Sequence, residues 1–86
     1  MKLNKDFITY NSGDDHLLVP SGNVPFTGIV RGNKTFGSVL ELLKTDTTEE
    51  EIIKQMADRF DAEKEIIRKD VERALAELKK IGALDE

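Results

Sequence analysis

The chain has no cysteine and no tryptophan, one histidine, two prolines and no long apolar run. Without cysteine there is no disulfide framework, thiolate zinc knuckle or thiol chemistry. With one histidine and no evident base beside any serine, no nucleophile–base set can be assembled, and no catalytic residues are expected. No stretch approaches the roughly 20 apolar residues that span a bilayer. The first residues, MKLNKDFITYN, hold no apolar core of signal-peptide length. The expectation is a cytoplasmic protein that does not associate with membranes. Excess positive charge is also missing: 13 Lys and Arg stand against 17 Asp and Glu, a net charge of -4. That balance argues against a general polyanion binder, whose affinity comes from neutralising phosphates. The 86 residues suffice for one small domain, 1–86, with a thin core.

What is present divides into a strand-like first third and a helical remainder. Phe7 to Asn11 is rich in β-branched and aromatic residues, and His16 to Pro20 is a second short apolar run. Between them Ser12-Gly13-Asp14-Asp15 offers residues that tolerate the left-handed backbone of a tight turn, which predicts a β-hairpin. Pro20 and Pro25 bracket a loop, and Thr27 to Arg31 reads as a third short strand. From Asn33 the period changes. Phe36, Val39, Leu40 and Leu43 make one apolar stripe, with Asn33 as its N-cap. Thr48-x-x-Glu51 has the pattern of a capping box, and Ile52, Ile53, Met56, Ala57 and Phe60 form the buried face of a second helix. A third helix from about Lys64 aligns Ile67, Val71, Ala74, Leu75, Leu78 and Ile81, and Gly82 suits the left-handed position that ends it. The order is βββααα: an α+β winged helix-turn-helix, a three-stranded antiparallel sheet followed by three helices.

Two clusters invite a chemical reading and fail it. Gly32 to Ser38 resembles a phosphate loop, but Gly37 is followed by Ser38 and Val39 where lysine and a hydroxyl residue are needed. Alternating strands and helices are missing as well, so the run is a strand-to-helix connection. Asp14-Asp15-His16 suggests metal ligands, yet successive strand residues point to opposite faces and nothing marks further ligands. It reads as a hairpin turn with a solvated histidine; no metal or cofactor is expected. Glu49-Glu50-Glu51 is the acid-rich first turn that a helix dipole favours. Ile66 falls away from the main apolar stripe, beside Asp70 and Arg73. Either it packs near the helix start against Phe60, or it is an exposed contact for a partner.

The segments Gly28 to Thr35 with Val39-Leu40-Glu41-Leu42-Leu43, Thr48-Glu49-Glu50-Glu51-Ile52-Ile53, and Asp70-Val71…Leu75-x-x-Leu78…Gly82 together resemble the PqqD-like family. Their order and spacing cover nearly the whole chain. Ala74 and Ala83 depart from it, standing where the family usually has bulkier apolar residues. The resemblance implies a non-catalytic module that binds the leader segment of a ribosomally made precursor peptide. It further implies presentation of that peptide to a modifying enzyme, often a radical-SAM maturase. The leader would add as a strand to Thr27, Gly28, Ile29, Val30 and Arg31. The wall of the groove beside it would come from Ile66, Ile67, Asp70, Val71 and Ala74. Phe26, Gly28 and Val30 share one face of the strand while Thr27, Ile29 and Arg31 share the other; which face lines the groove stays open.

The rival from another class is a DNA-binding winged-helix regulator. A groove-reading helix should carry net positive charge, but Lys64, Arg68, Lys69 and Arg73 are offset by Glu63, Glu65, Asp70, Glu72 and Glu77. A gel shift on mixed-sequence duplex at low salt is therefore expected to show no retention; clear retention would favour the regulator.

Overall fold

A computed structural model of the chain describes residues 1–13, 15–21 and 28–85. The hairpin pairs β2 (Phe7–Ser12) with β3 (Asp15–Pro20), from Phe7 opposite Pro20 to Ser12 opposite Asp15. Gly13 sits in the turn with φ 60°, the left-handed conformation that glycine adopts without a Cβ clash. The third strand, β4 (Val30–Gly32), joins antiparallel to β3, giving the order β2-β3-β4. Its place differs from the expected Thr27 to Arg31. Pairing runs only from Val30 opposite Leu18 to Gly32 opposite His16, so Gly28 and Ile29 precede the ladder. Thr27 lies outside the described residues.

Three helices follow. Asn33 caps α1 (Lys34–Leu42), its side-chain oxygen accepting from the Phe36 N–H at 3.0 Å. Thr48 caps α2 (Glu49–Arg59) in the same way, accepting from the Glu51 N–H at 3.2 Å. The Glu51 carboxylate accepts from Gln55 Nε2 at 3.2 Å. The last helix, α3 (Lys64–Lys80), stops at Gly82, φ 76°. There the Ala83 N–H donates to the Leu78 carbonyl at 2.8 Å and the Gly82 N–H to Lys79 at 3.1 Å, the paired bonds of a Schellman stop. Periodicity and burial agree: Val39, Leu43, Ile52, Ile53, Met56, Val71 and Leu78 are fully buried, and Leu40 nearly so. Among the described residues no helix is long and apolar enough to cross a membrane.

Further features were not expected. The chain's ends form their own ribbon, β1 (Lys2–Leu3) antiparallel to β5 (Leu84–Asp85). The Leu3 N–H donates to the Leu43 carbonyl at 2.8 Å and the Asn4 N–H to Ala83 at 2.7 Å, tying that ribbon to α1 and to the end of α3. Two-residue strands carry no measurable alternation, so only tertiary contact reveals them. Arg68 also differs from a freely solvated charge. It reaches Glu50 on α2 at 2.9 Å, and this carboxylate raises the guanidinium pKa above its ordinary value.

His16 is half-buried instead of solvated. Its Nδ1 lies 2.7 Å from Asn11 Oδ1, and Nε2 is buried with no hydrogen-bond partner among the described residues. The ring lies against α1 at Gly37, where any Cβ would collide with Nδ1 and Cγ. A glycine inside a helix costs about 1 kcal/mol relative to alanine, so the close approach of the ring accounts for its presence. Gly37→Ala is expected to destabilise the domain by about 1–3 kcal/mol, the usual cost of overpacking. In a His16→Ala background the same substitution should be neutral or stabilising. Urea denaturation of the four proteins checks this; additive effects would remove the ring contact from the explanation.

Candidate functional site

β3 has neighbours on both sides, whereas β4 is paired on one side only among the described residues. Its outer edge therefore presents backbone N–H and C=O groups with no ladder partner. Register decides where its side chains go, because opposed residues in an antiparallel pair share a face. Val30 lies opposite Leu18, which is fully buried, so Val30 and Gly32 belong to the helix-facing side. Arg31 lies opposite Leu17 on the other side and is exposed. The open question about the strand's faces is thereby answered for its paired residues.

A groove of about 400 Å³ runs between this edge and α3. Val30, Arg31 and Gly32 form one wall, with Thr35 and Phe36 from the first turn of α1. Asp70, Arg73, Ala74 and Glu77 form the other. These four recur at three- and four-residue steps, the spacing that places side chains on one helical face. The lining is apolar at Val30, Phe36 and Ala74 and charged at Arg31, Asp70, Arg73 and Glu77. None of those four charged groups makes an ion pair among the described residues. The groove thus combines unpaired backbone, an apolar lining and uncommitted charge of both signs.

Of the residues expected to act together, Val30, Arg31, Asp70 and Ala74 meet in the groove. Gly28 and Ile29 stand just upstream of the strand, both exposed, and Ile29 is 64% exposed. Ile66, 53% exposed, continues the Asp70 stripe one turn toward the start of α3. Its side chain is available to a partner even though it neighbours the Phe60 segment in sequence. Ile67 and Val71 differ: at 4% and 0% exposure they point into the core and anchor α3. A single apolar arc on α3 held both core and groove positions, and periodicity alone does not separate them. Asp15 and His16 belong to the hairpin, and Asp14 lies outside the described residues. Among the described residues no group of three or more His, Cys, Asp or Glu is placed to hold a metal.

Sequence reasoning missed Phe36, Arg73 and Glu77. Arg73 and Glu77 carried a usable signal, falling three and seven residues after Asp70. Phe36 did not, because its place depends on Gly32. A Cβ at Gly32 would strike the Phe36 ring at Cγ and Cδ2. The glycine thus makes room for an aromatic side chain that lines the groove.

A three-stranded antiparallel sheet followed by three helices, with a groove at the sheet's free edge, is an α+β domain of winged-helix type. The sequence model for coenzyme PQQ synthesis protein D (PqqD) matches residues 17–84, and the chain belongs to that family. A solved structure, "TbiB1 in Complex with the TbiA(beta) Leader Peptide", has a similar fold. It superposes with a TM-score of 0.74 at 17% identity, covering 99% of this chain and all of the other. No curated protein sequence matches the chain.

Gly32→Ala tests how the groove is built. It is expected to displace the Phe36 ring and to shift the NMR signals of Phe36, Val30 and Ala74 while the Asn33 cap persists. Unchanged Phe36 ring signals would show that the glycine does not govern that side chain.

Proposed function

We propose that this domain captures the leader segment of a ribosomally made precursor peptide and presents it to a modifying enzyme, without catalysing a reaction itself. The peptide adds as an antiparallel or parallel strand to β4, and its alternate side chains enter the groove beside α3. The modifying enzyme is proposed to be a radical-SAM maturase. The observation that carries this reading is the juxtaposition of β4's unpaired edge with an open, partly apolar groove. Backbone pairing supplies affinity that tolerates many sequences, and the groove supplies selection. The leader-peptide complex in the structurally similar protein and membership of the PqqD family support the same role.

In this reading the residues around groove and edge have distinct tasks. Val30, Phe36 and Ala74 receive apolar side chains, and Asp70, Arg73 and Glu77 border them. Arg31 borders the groove from the other face of β4, so it meets a residue of the added strand on that face. Gly28, Ile29 and Thr27 lead into the strand and are proposed to extend the contact upstream. Ile66 extends it along α3, while Ile67 and Val71 contribute by holding that helix. Nothing favours the DNA-binding reading: Arg68 is engaged with Glu50, and α3 carries charge of both signs.

The test begins with peptides selected on the purified domain from a random-peptide display library, followed by an NMR titration. Shifts are expected at Val30–Gly32 and along α3 from Asp70 to Glu77. Shifts confined to the hairpin turn would overturn the assignment. For a selected peptide with a carboxylate opposite Arg31, Arg31→Glu is expected to weaken binding by about three- to tenfold, as befits an exposed charge pair turned repulsive. Unchanged affinity by calorimetry would remove Arg31 from the site.

A further inference from the structure

Three charged side chains line the α3 wall of the groove, and they are not equivalent. Asp70 is half-buried, whereas Arg73 and Glu77 are exposed. The Asp70 carboxylate has neither a hydrogen bond nor an ion pair among the described residues. On its own helix the neighbours one turn away are Ile66, Ile67, Arg73 and Ala74. Of these only Arg73 could pair with it, and no such pair forms. Arg68, the cation before it on α3, is engaged with Glu50.

An open groove keeps that carboxylate wet. A peptide laid along β4 would displace the water, and a carboxylate that loses water without gaining a partner is costly. Arg73 avoids such a cost by carrying its charge outward on a long stem. Aspartate has a single methylene and cannot, so the occupant of the groove has to supply the partner. The strongest partner for a carboxylate is a cation that also donates hydrogen bonds, an ammonium or a guanidinium. Spacing allows it to sit beside an apolar contact. Successive groove-facing residues of an added strand stand about 7 Å apart, and Asp70 and Ala74 stand about 6 Å apart along the helix axis.

We propose that Asp70 is a specificity determinant of the peptide site, and that the captured peptide carries a lysine or arginine two residues from a large apolar side chain. The cation meets Asp70 while the apolar group packs on Val30, Phe36 and Ala74. This deepens the strand-addition reading and rests on it. Arg31 extends the pattern, because it borders the groove from the other face of β4 and suits an acidic residue at the intervening position. Shifting such a peptide by one residue would bring its acid to Asp70 and its base to Arg31. The two charges therefore select the peptide's register as well as its composition.

The experiment selects peptides on the full chain from a random display library and measures the best binder and its variants by calorimetry. Enrichment of lysine or arginine two residues from an aliphatic or aromatic residue is expected. Exchanging that cation for glutamate should weaken binding about tenfold. Against Asp70→Lys the preference should invert, with the glutamate peptide binding better. Asp70→Asn should cost the cationic peptide about fivefold to tenfold and leave a peptide with glutamine at that position unchanged. Urea denaturation checks that both variants stay folded, and if Asp70→Lys does not, the Asp70→Asn cycle decides. Selected peptides without the cation, a preference that fails to invert in folded Asp70→Lys, or equal losses for the cationic and glutamine peptides would each overturn the proposal. A library that yields no binder, or NMR shifts that miss β4 and α3, overturns the strand-addition reading instead; shifts at β4 and α3 with affinity indifferent to Asp70 overturn this inference alone.

Discussion

Three residue pairs between β3 and β4 hold the site: Leu18 with Val30, Leu17 with Arg31, and His16 with Gly32. Strand side chains alternate, so a slip of one residue would exchange every side chain between the two faces. Arg31 would turn toward the core, and Val30 would lose its place in the groove. What prevents the slip is burial. Leu18 is fully buried beneath the helices, and Val30 packs beside that core. Exchanging Val30 for Arg31 would set a guanidinium opposite the fully buried Leu18 where an apolar side chain now packs, and part of that charge would lose its water. The Gly32–Phe36 approach adds a second lock, since only a glycine at that register position admits the ring.

That lock also fixes where α1 begins. Gly32 ends the ladder, Asn33 caps the helix, and Phe36 stands one turn later, against Gly32. A single connection therefore sets the strand edge, one wall of the groove and the direction of the first helix. The opposite wall is set independently. Ile67, Val71 and Leu78 seat α3 in the core, which turns Asp70, Arg73 and Glu77 outward at helical spacing. The Schellman stop at Gly82 then reverses the chain so that β5 meets β1.

Features governed by neighbours in sequence were legible before the structure. The caps at Asn33 and Thr48, the left-handed glycines 13 and 82, and the apolar stripes of the three helices all follow from local chemistry. Four of the residues that line the groove had also been singled out: Val30, Arg31, Asp70 and Ala74. The rest depends on distant parts of the chain. Strand β4 pairs only from Val30, opposite Leu18, although β3 runs on to Pro20, and nothing in Thr27 to Arg31 marks that point. Ile67 and Val71 resemble Ala74 in helical phase, yet packing sends the first two inward and leaves the third beside a groove. His16 looked solvated because nothing in its own segment announces that Gly37 will offer a flat surface twenty-one residues later.

Under the proposed strand addition, the length of β4 requires edge and groove to work together. A strand of three residues offers only a few outward backbone groups, each worth about 1 kcal/mol net when bonded. Micromolar affinity corresponds to about 8 kcal/mol, before the cost of ordering a flexible peptide is added. Backbone pairing alone falls well short, so apolar burial along Val30, Phe36 and Ala74 has to supply much of the remainder. The same shortfall protects the isolated domain. A long, flat, apolar edge would pair with any copy it met, whereas a short edge with an outward arginine does so weakly. A peptide that fills the groove while it pairs gains both contributions at once; a second copy of the chain, offering only another edge, gains one. Under the proposed strand addition, selectivity for a peptide over self-association follows from the shortness of the strand and the position of the groove beside it.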